Sequence, residues 1–226
     1  MFYQKLFNVL KSIGFRSSQD YWEERYKRGG DSGSGSYGQL ADFKANFINQ
    51  FVVENQVTSI VELGCGDGHQ LGKFAIQRYL GLDVSCEAIN RCQNRYADAT
   101  NLSFEVYDPQ TFSGHMTEWQ ASLAISLDVI YHLIENHVYE TYLEHLFSLA
   151  KNFVIIYSSD FDSRNPFRSR HVRHRKFSSD VAENFPGWKL IKHVPNPFPQ
   201  SEYGTSGTVA DFFIYRGPGV VVSAPD

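Results

Sequence analysis

Cysteine is scarce in this chain: Cys65, Cys86 and Cys92 are three in 226 residues, an odd number without a close-spaced pattern. That excludes a disulfide framework and a Cys-based zinc site, and the three read as reduced thiols of a protein expected in the cytoplasm. A surplus of positive charge is also missing. The formal net charge is −4, which argues against the broad basic surface of a nucleic-acid-binding protein. No segment is long and apolar enough to cross a bilayer. The first residues lack the continuous apolar block and small-residue cleavage site of a signal peptide. Instead Phe2, Leu6, Leu10 and Ile13 share one helical face, with Lys5 and Lys11 elsewhere, as in a helix docked on its own domain or, as the less favoured alternative, one that touches a membrane surface. No internal repeat and no second domain are visible.

Apolar residues make up 42% and aromatics 15% of the chain, enough for a full core and for an aromatic-lined cleft. Leu40, Phe43, Phe47, Ile48 and Phe51 are spaced for the buried face of a helix from about Gln39 to Asn55. Strands are expected near 58–63, 78–83, 102–107, 121–127 and 153–158, with helical patterns between them. Such alternation predicts an α/β fold, a parallel sheet with helices on both faces. Two consecutive strands, Gly187 to Val194 and Thr208 to Arg216, joined by a Pro-, Gly- and Ser-rich loop, predict an antiparallel C-terminal hairpin.

The most informative stretch is 60–71. An apolar strand there breaks into Gly64, Gly66 and Gly68, which let backbone turn tightly and approach a ligand closely. A helix is expected from about His69, so the loop sits where nucleotide-like ligands bind in α/β folds. Asp83 closes the next apolar segment about 20 residues on, where an acid reaches ribose hydroxyls. A pyrophosphate favours a bare helix N-terminus. Glu62 and Asp67 beside this loop instead suit a cationic ligand.

Glu62-Leu63-Gly64-Cys65-Gly66-Asp67-Gly68 fits the E-x-G-x-G-x-G motif without a gap, and the chain here resembles the class I S-adenosylmethionine-dependent methyltransferases. The resemblance implies a Rossmann-like seven-stranded, mostly parallel sheet closed by an antiparallel C-terminal hairpin, and S-adenosylmethionine as cofactor. It implies that Glu62 and the Gly64 carbonyl hold the methionyl amino group, with Cys65, Gly66 and Gly68 lining the approach. Asp83 takes the ribose hydroxyls, Val84 packs near the adenine, and Tyr107-Asp108 supplies the acceptor for the adenine amine. It also implies a cofactor lid from Tyr21, Trp22, Arg25 and Tyr37, around the run Gly29–Gly38. The expected division is 1–38 N-terminal helix and lid, 39–216 catalytic domain, 217–226 tail.

The fourth strand ends in Asp128-Val129-Ile130-Tyr131-His132, which this fold turns toward the sulfonium. Methyl transfer needs in-line alignment and removal of one proton. A neutral imidazole is the usual base near pH 7, which selects His132. Tyr131 and Asp128 complete the catalytic candidates, and Asp128 orients the histidine, touches the cofactor or binds a metal. Mg²⁺ on Asp128, Asp160, Asp162 and Asn165 is the less favoured alternative, since the adjacent Asp-Asn pair of metal-dependent relatives is absent.

A basic stretch follows strand five: Arg170, His171, Arg173, His174 and Arg175 are its candidate substrate-binding residues, with His171 and His174 as alternative bases. It suggests an anionic or carrier-linked acceptor. Together with Tyr21-Trp22-Glu23-Glu24-Arg25-Tyr26 and the Gly/Ser run, it is similar to small methyltransferases of glycan and polysaccharide biosynthesis. The resemblance implies O-methylation of a sugar hydroxyl. A small-molecule N- or O-methyltransferase and a noncatalytic scaffold are the other readings. The amino-directed signature Asn/Asp-Pro-Pro-Tyr/Phe is absent after strand four.

Overall fold

The computed structural model describes residues 17–163 and 171–218. The expected N-terminal apolar face from Phe2 to Ile13, Asn165 and Arg170 of the basic stretch, and the tail from Gly219 lie outside the described residues.

Seven strands form one sheet in the order β3-β2-β1-β4-β5-β7-β6. They are β1 Ile60–Leu63, β2 Tyr79–Asp83, β3 Leu102–Val106, β4 Ala121–Leu127, β5 Ala150–Ser158, β6 Lys189–Val194 and β7 Asp211–Arg216. Strands β1 to β5 pair in parallel, whereas β7 runs antiparallel between β5 and β6. The α/β fold with its closing hairpin is therefore as expected. Strand order reverses between β1 and β4, so the loops after these two strands diverge and open the crevice used for ligands in doubly wound sheets.

Both faces of the sheet are covered, which is why its central strands are apolar on successive residues. The principal helices are α1 Ser18–Lys27, α2 Gly38–Glu54, α3 Cys86–Arg95, α4 Asn136–Ser148 and α5 Phe177–Asn184. Helix α2 buries Ile48, Phe51 and Val52 against Ile60, Leu123 and Ile155. On the other face α4 buries Tyr142, Leu143 and Leu146 with Val61, Ala124 and Val154.

One expected element differs. The segment after β1 forms only a short 3₁₀ turn, Gln70–Lys73, rather than a helix. Asn49 of α2 explains the difference: its amide accepts from the Ala75 N–H at 2.8 Å and donates to the Lys73 carbonyl at 2.9 Å. These bonds satisfy backbone groups that a helix would otherwise pair internally.

Candidate active site

At the end of β1, Gly64, Gly66 and Gly68 all take positive φ, 88°, 58° and 69°. A Cβ on Gly66 would stand 2.4 Å from Ser32 Oγ and 2.8 Å from Tyr26 Oη, so only glycine fits beneath the N-terminal segment. The loop is pinned from β2: Asp83 Oδ2 accepts from the Gly66 N–H at 2.9 Å and Oδ1 from the Ser85 N–H at 2.9 Å. Glu62 accepts from the Tyr79 hydroxyl at 2.6 Å.

A cavity of about 440 Å³ opens above this loop, bordered by Glu62, Gly64, Cys65, Asp83, Val84 and Tyr107. The volume suits a nucleoside-sized ligand. Gln70 also lines it, and its side-chain amide nitrogen is buried without a hydrogen-bond partner. Buried donors are normally paired, so this one is available to a ligand acceptor. The cavity thus offers carboxylates for an amine and a ribose, an unused donor for a carboxylate, and the Val84–Tyr107 side for a base. S-adenosylmethionine carries all four groups.

Burial pushes the Glu62 carboxyl up to about 7, against the opposing Tyr79 hydrogen bond. It pushes Asp83 up to about 6, against its two backbone donors. Carboxyls raised in the folded state stabilise it below their unfolded values, 4.5 and 3.8, and that contribution is lost as pH rises through the folded values. These two carboxyls therefore contribute progressively less stability to the unliganded protein as pH climbs from about 5 to about 7, while His132, its pKa lowered to about 4, contributes progressively more up to its unfolded value of 6.5. The melting-temperature advantage of wild type over Glu62→Gln is accordingly expected to shrink across that window in a thermal denaturation series; an advantage that grows with pH would contradict it.

Helix α1 spans the cavity mouth. Ser17 caps it by accepting from the Asp20 N–H at 3.0 Å. Near its start, Ser18 donates to Glu135 from Oγ at 2.6 Å and from its N–H at 3.0 Å. On the opposite wall, Glu23 accepts from Ser85 Oγ at 2.5 Å. Beyond the helix, Ser32 Oγ donates to Asp67 Oδ1 at 2.8 Å. Tyr37 stacks on His69 with ring centroids 4.1 Å apart.

A second cavity, of about 610 Å³, adjoins the first, and Trp22, Asp128 and His132 line both. Asp128 follows β4 with φ 62°, a left-handed conformation that costs about 1–2 kcal/mol for a residue with a side chain. Its partners hold it there. The Asp128 N–H donates to the Tyr157 carbonyl at 2.9 Å, Tyr131 Oη donates to Oδ1 at 2.8 Å, and the Lys44 ammonium pairs with Oδ2. The Lys44 side chain is 1% exposed. Removing one partner of such a buried pair costs about 3–5 kcal/mol.

His132 is held differently. Its Nδ1 lies 2.8 Å from the His171 carbonyl; a carbonyl only accepts, so Nδ1 carries the proton and Nε2 keeps its lone pair. Burial lowers its pKa to about 4, against the raising effect of that backbone bond. The imidazole is therefore neutral across the physiological range. Trp22 meets it edge-on at 4.9 Å and His171 stacks at 5.5 Å.

The basic stretch divides. His171 and His174 line the larger cavity; His171 stacks on Tyr21 at 4.5 Å, and His174 stacks on Phe161 at 4.7 Å while bonding Ser159 at 2.7 Å. Arg173 and Arg175 line neither cavity. Arg175 donates to the Leu133 and Ile134 carbonyls at 2.5 and 2.9 Å and lies over the Tyr139 ring. Arg173 donates to the Ile134 carbonyl at 3.0 Å and to Asn136 at 2.8 Å. Backbone carbonyls need donors, and these two arginines supply them to Leu133 and Ile134, so both guanidiniums face the 133–136 segment rather than either cavity.

Other expected contacts also fall outside the cofactor cavity. Asp108 is exposed and accepts from the Gln110 N–H at 2.9 Å. Gly68 packs against α3, where a Cβ would come 2.9 Å from Cys92 Sγ. Arg25 lines the larger cavity and pairs with Asp31 at 2.9 Å. Tyr37 lines neither. Of the Mg²⁺ candidates, Asp128 is taken by Lys44 and Tyr131, and Asp160 accepts from Ser178 Oγ at 2.6 Å. Asp162 accepts from the Lys176 N–H at 3.4 Å. Among the described residues no cluster of three or more His, Cys, Asp or Glu has a metal-site arrangement.

Lys44 and Gln70 were not expected from sequence. Lys44 carries a legible signal: it stands four residues from both Leu40 and Ile48 on the apolar face of α2, where a lysine must find an anion. Gln70 carries none.

Known proteins share this fold. The family described as "Methyltransferase domain" matches residues 54–200. The structure of N-methyltransferase NodS from Bradyrhizobium japonicum WM9, in complex with S-adenosylhomocysteine, superposes with a TM-score of 0.68 at 17% identity, over 89% of this chain and 99% of that one. Magnesium protoporphyrin IX methyltransferase from Synechocystis PCC 6803, with bound S-adenosylhomocysteine, gives 0.61 at 14% identity, over 88% and 97%. The mRNA cap guanine-N(7) methyltransferase of Eremothecium gossypii is 38% identical over 50 residues, 21% of this chain. This chain spans only 12% of that relative's length. With the glycine loop, the seven-stranded order and the family match in agreement, the chain belongs to the methyltransferase domain family and has the fold of methyltransferases solved with bound S-adenosylhomocysteine.

Proposed function

We propose that this enzyme O-methylates a sugar hydroxyl, with His132 as general base. The observation that carries the reading is the placement of His132: it borders both cavities, its Nδ1 proton is fixed on the His171 carbonyl, and its Nε2 lone pair is free to take a proton.

S-adenosylmethionine supplies an electrophilic methyl group on a sulfonium. Glu62 and Gln70 would hold its methionyl end, Asp83 its ribose, and Val84 with Tyr107 its adenine. The acceptor oxygen bonds to the methyl carbon, the carbon–sulfur bond breaks with its electron pair going to sulfur, and the hydroxyl proton passes to His132 Nε2. Although a pKa of about 4 marks a weak base, an oxygen that has gained a methyl group is a far stronger acid than imidazolium. Proton transfer late in the reaction is therefore downhill.

The larger cavity supports a sugar acceptor because its walls alternate rings with small hydrogen-bonding groups. Tyr21, Trp22 and Phe161 offer faces for sugar C–H surfaces. Ser163, Gln200 and Thr208 offer hydroxyl partners. Among the described residues, an anionic portion of the acceptor would meet Arg25 there. Product analysis by mass spectrometry and NMR, after incubation with S-adenosylmethionine and a panel of free and nucleotide-linked sugars, tests the assignment. Methyl ethers support it; methylation confined to nitrogen or to non-sugar acceptors overturns it.

Residues 17–38 serve as the cofactor lid, clasped to one wall through Ser18–Glu135 and to the other through Glu23–Ser85. A hydrogen bond to a charged group is worth about 1.5–3 kcal/mol. Glu23→Ala is accordingly expected to speed S-adenosylhomocysteine dissociation by about tenfold or more, read by stopped-flow displacement. An unchanged off-rate would remove Glu23 from the clasp. Among the described residues no helix is long and apolar enough to cross a membrane.

A further inference from the structure

The buried Lys44–Asp128 pair is the feature the mechanism above leaves unused. Asp128 is the one carboxylate bordering the larger cavity among the described residues, and Arg25 is the other side chain there with a fixed charge. An unpaired carboxylate at that position would draw in a cation, because a buried negative charge gains most from a positive partner. Here both Asp128 oxygens are engaged, one by the Lys44 ammonium and one by the Tyr131 hydroxyl. The backbone of Gly35 lies against the same carboxylate, where a Cβ would come 2.7 Å from Oδ2. The acceptor cavity is thereby left without an anion to receive an ammonium group, while Asp128 can still accept from a neutral hydroxyl.

We infer that Lys44 is a specificity-determining residue: by cancelling the Asp128 charge at the junction of the two cavities, it selects a neutral hydroxyl acceptor over a protonated amine. The inference rests on the hydroxyl reading above and deepens it by naming the residue that excludes amines. Lys44 itself lines neither cavity and acts through Asp128, so it is a positioning residue rather than a catalytic one.

Sinefungin carries an amine where S-adenosylmethionine has its methylsulfonium, and S-adenosylhomocysteine has no charge there. The ratio of their affinities therefore reports how the junction treats an ammonium group, without an acceptor. Calorimetry on the full chain is expected to give wild-type affinities within about threefold of each other. In Lys44→Met the ratio should shift toward sinefungin by about tenfold or more. In Asp128→Asn, where Lys44 loses its partner, it should shift the opposite way, and the double variant should return to near the wild-type ratio. Should Lys44→Met fail to fold, Asp128→Asn carries the test alone. An unchanged ratio in a folded single variant, or a wild type that prefers sinefungin by more than about tenfold, overturns the inference. The sugar assignment can fail separately: the ratio shift together with methylation of a non-sugar hydroxyl would uphold Lys44 and remove only the sugar.

Discussion

Asp83→Ala is expected to weaken S-adenosylmethionine binding by about a hundredfold or more, the largest affinity loss of any single side-chain change in the cofactor cavity. Two effects combine. On the proposed placement the ribose would lose charge-assisted hydrogen bonds worth about 1.5–3 kcal/mol each. The glycine loop also loses its anchor, since Asp83 Oδ2 accepts from the Gly66 N–H at 2.9 Å. About 2.7 kcal/mol already corresponds to a hundredfold in affinity. Asp83→Asn keeps an acceptor without the charge and should fall between the two. Calorimetry checks this, with circular dichroism to show that the sheet survives; a Kd within about threefold of wild type would exclude Asp83 from the cofactor site.

His132→Asn is expected to lower kcat by about 10²–10⁴-fold while leaving S-adenosylhomocysteine affinity nearly unchanged. The side chain contributes a lone pair at the junction, not a contact that both cofactor forms need. Because burial holds its pKa near about 4, the wild-type kcat profile should show no inflection from this residue between about pH 5 and 8. Any acid limb of kcat/KM near pH 6–7 should instead follow Glu62 and Asp83, whose carboxyls lie at about 7 and about 6. A limb near pH 6.5 that vanishes in His132→Asn would contradict the assigned environment. An undiminished kcat would end its role as base.

How much the sequence discloses depends on how local each signal is. The glycine loop and Asp83 are legible because backbone geometry and spacing restrict residue type along one stretch of chain. The strands are legible because both faces of the sheet are covered, which makes the central ones continuous apolar runs. The missing helix after β1 is not, since Asn49, more than twenty positions earlier, supplies the competing hydrogen bonds. Arg173 and Arg175 mislead for a similar reason. Charge density in sequence says nothing about direction, and the 133–136 loop claims both guanidiniums through its carbonyls. Lys44 lies between: its position on an apolar helix face announces a buried cation, but its partner is 84 residues away.

The most direct measurement is transfer of a labelled methyl group from S-adenosylmethionine to matched sugar and amino-sugar acceptors, in wild type and in His132→Asn. Label in methyl ethers of the wild-type products, and its loss in the variant at unchanged cofactor affinity, is the predicted result. Label on amino nitrogen, or transfer by the variant at the wild-type rate, would contradict it.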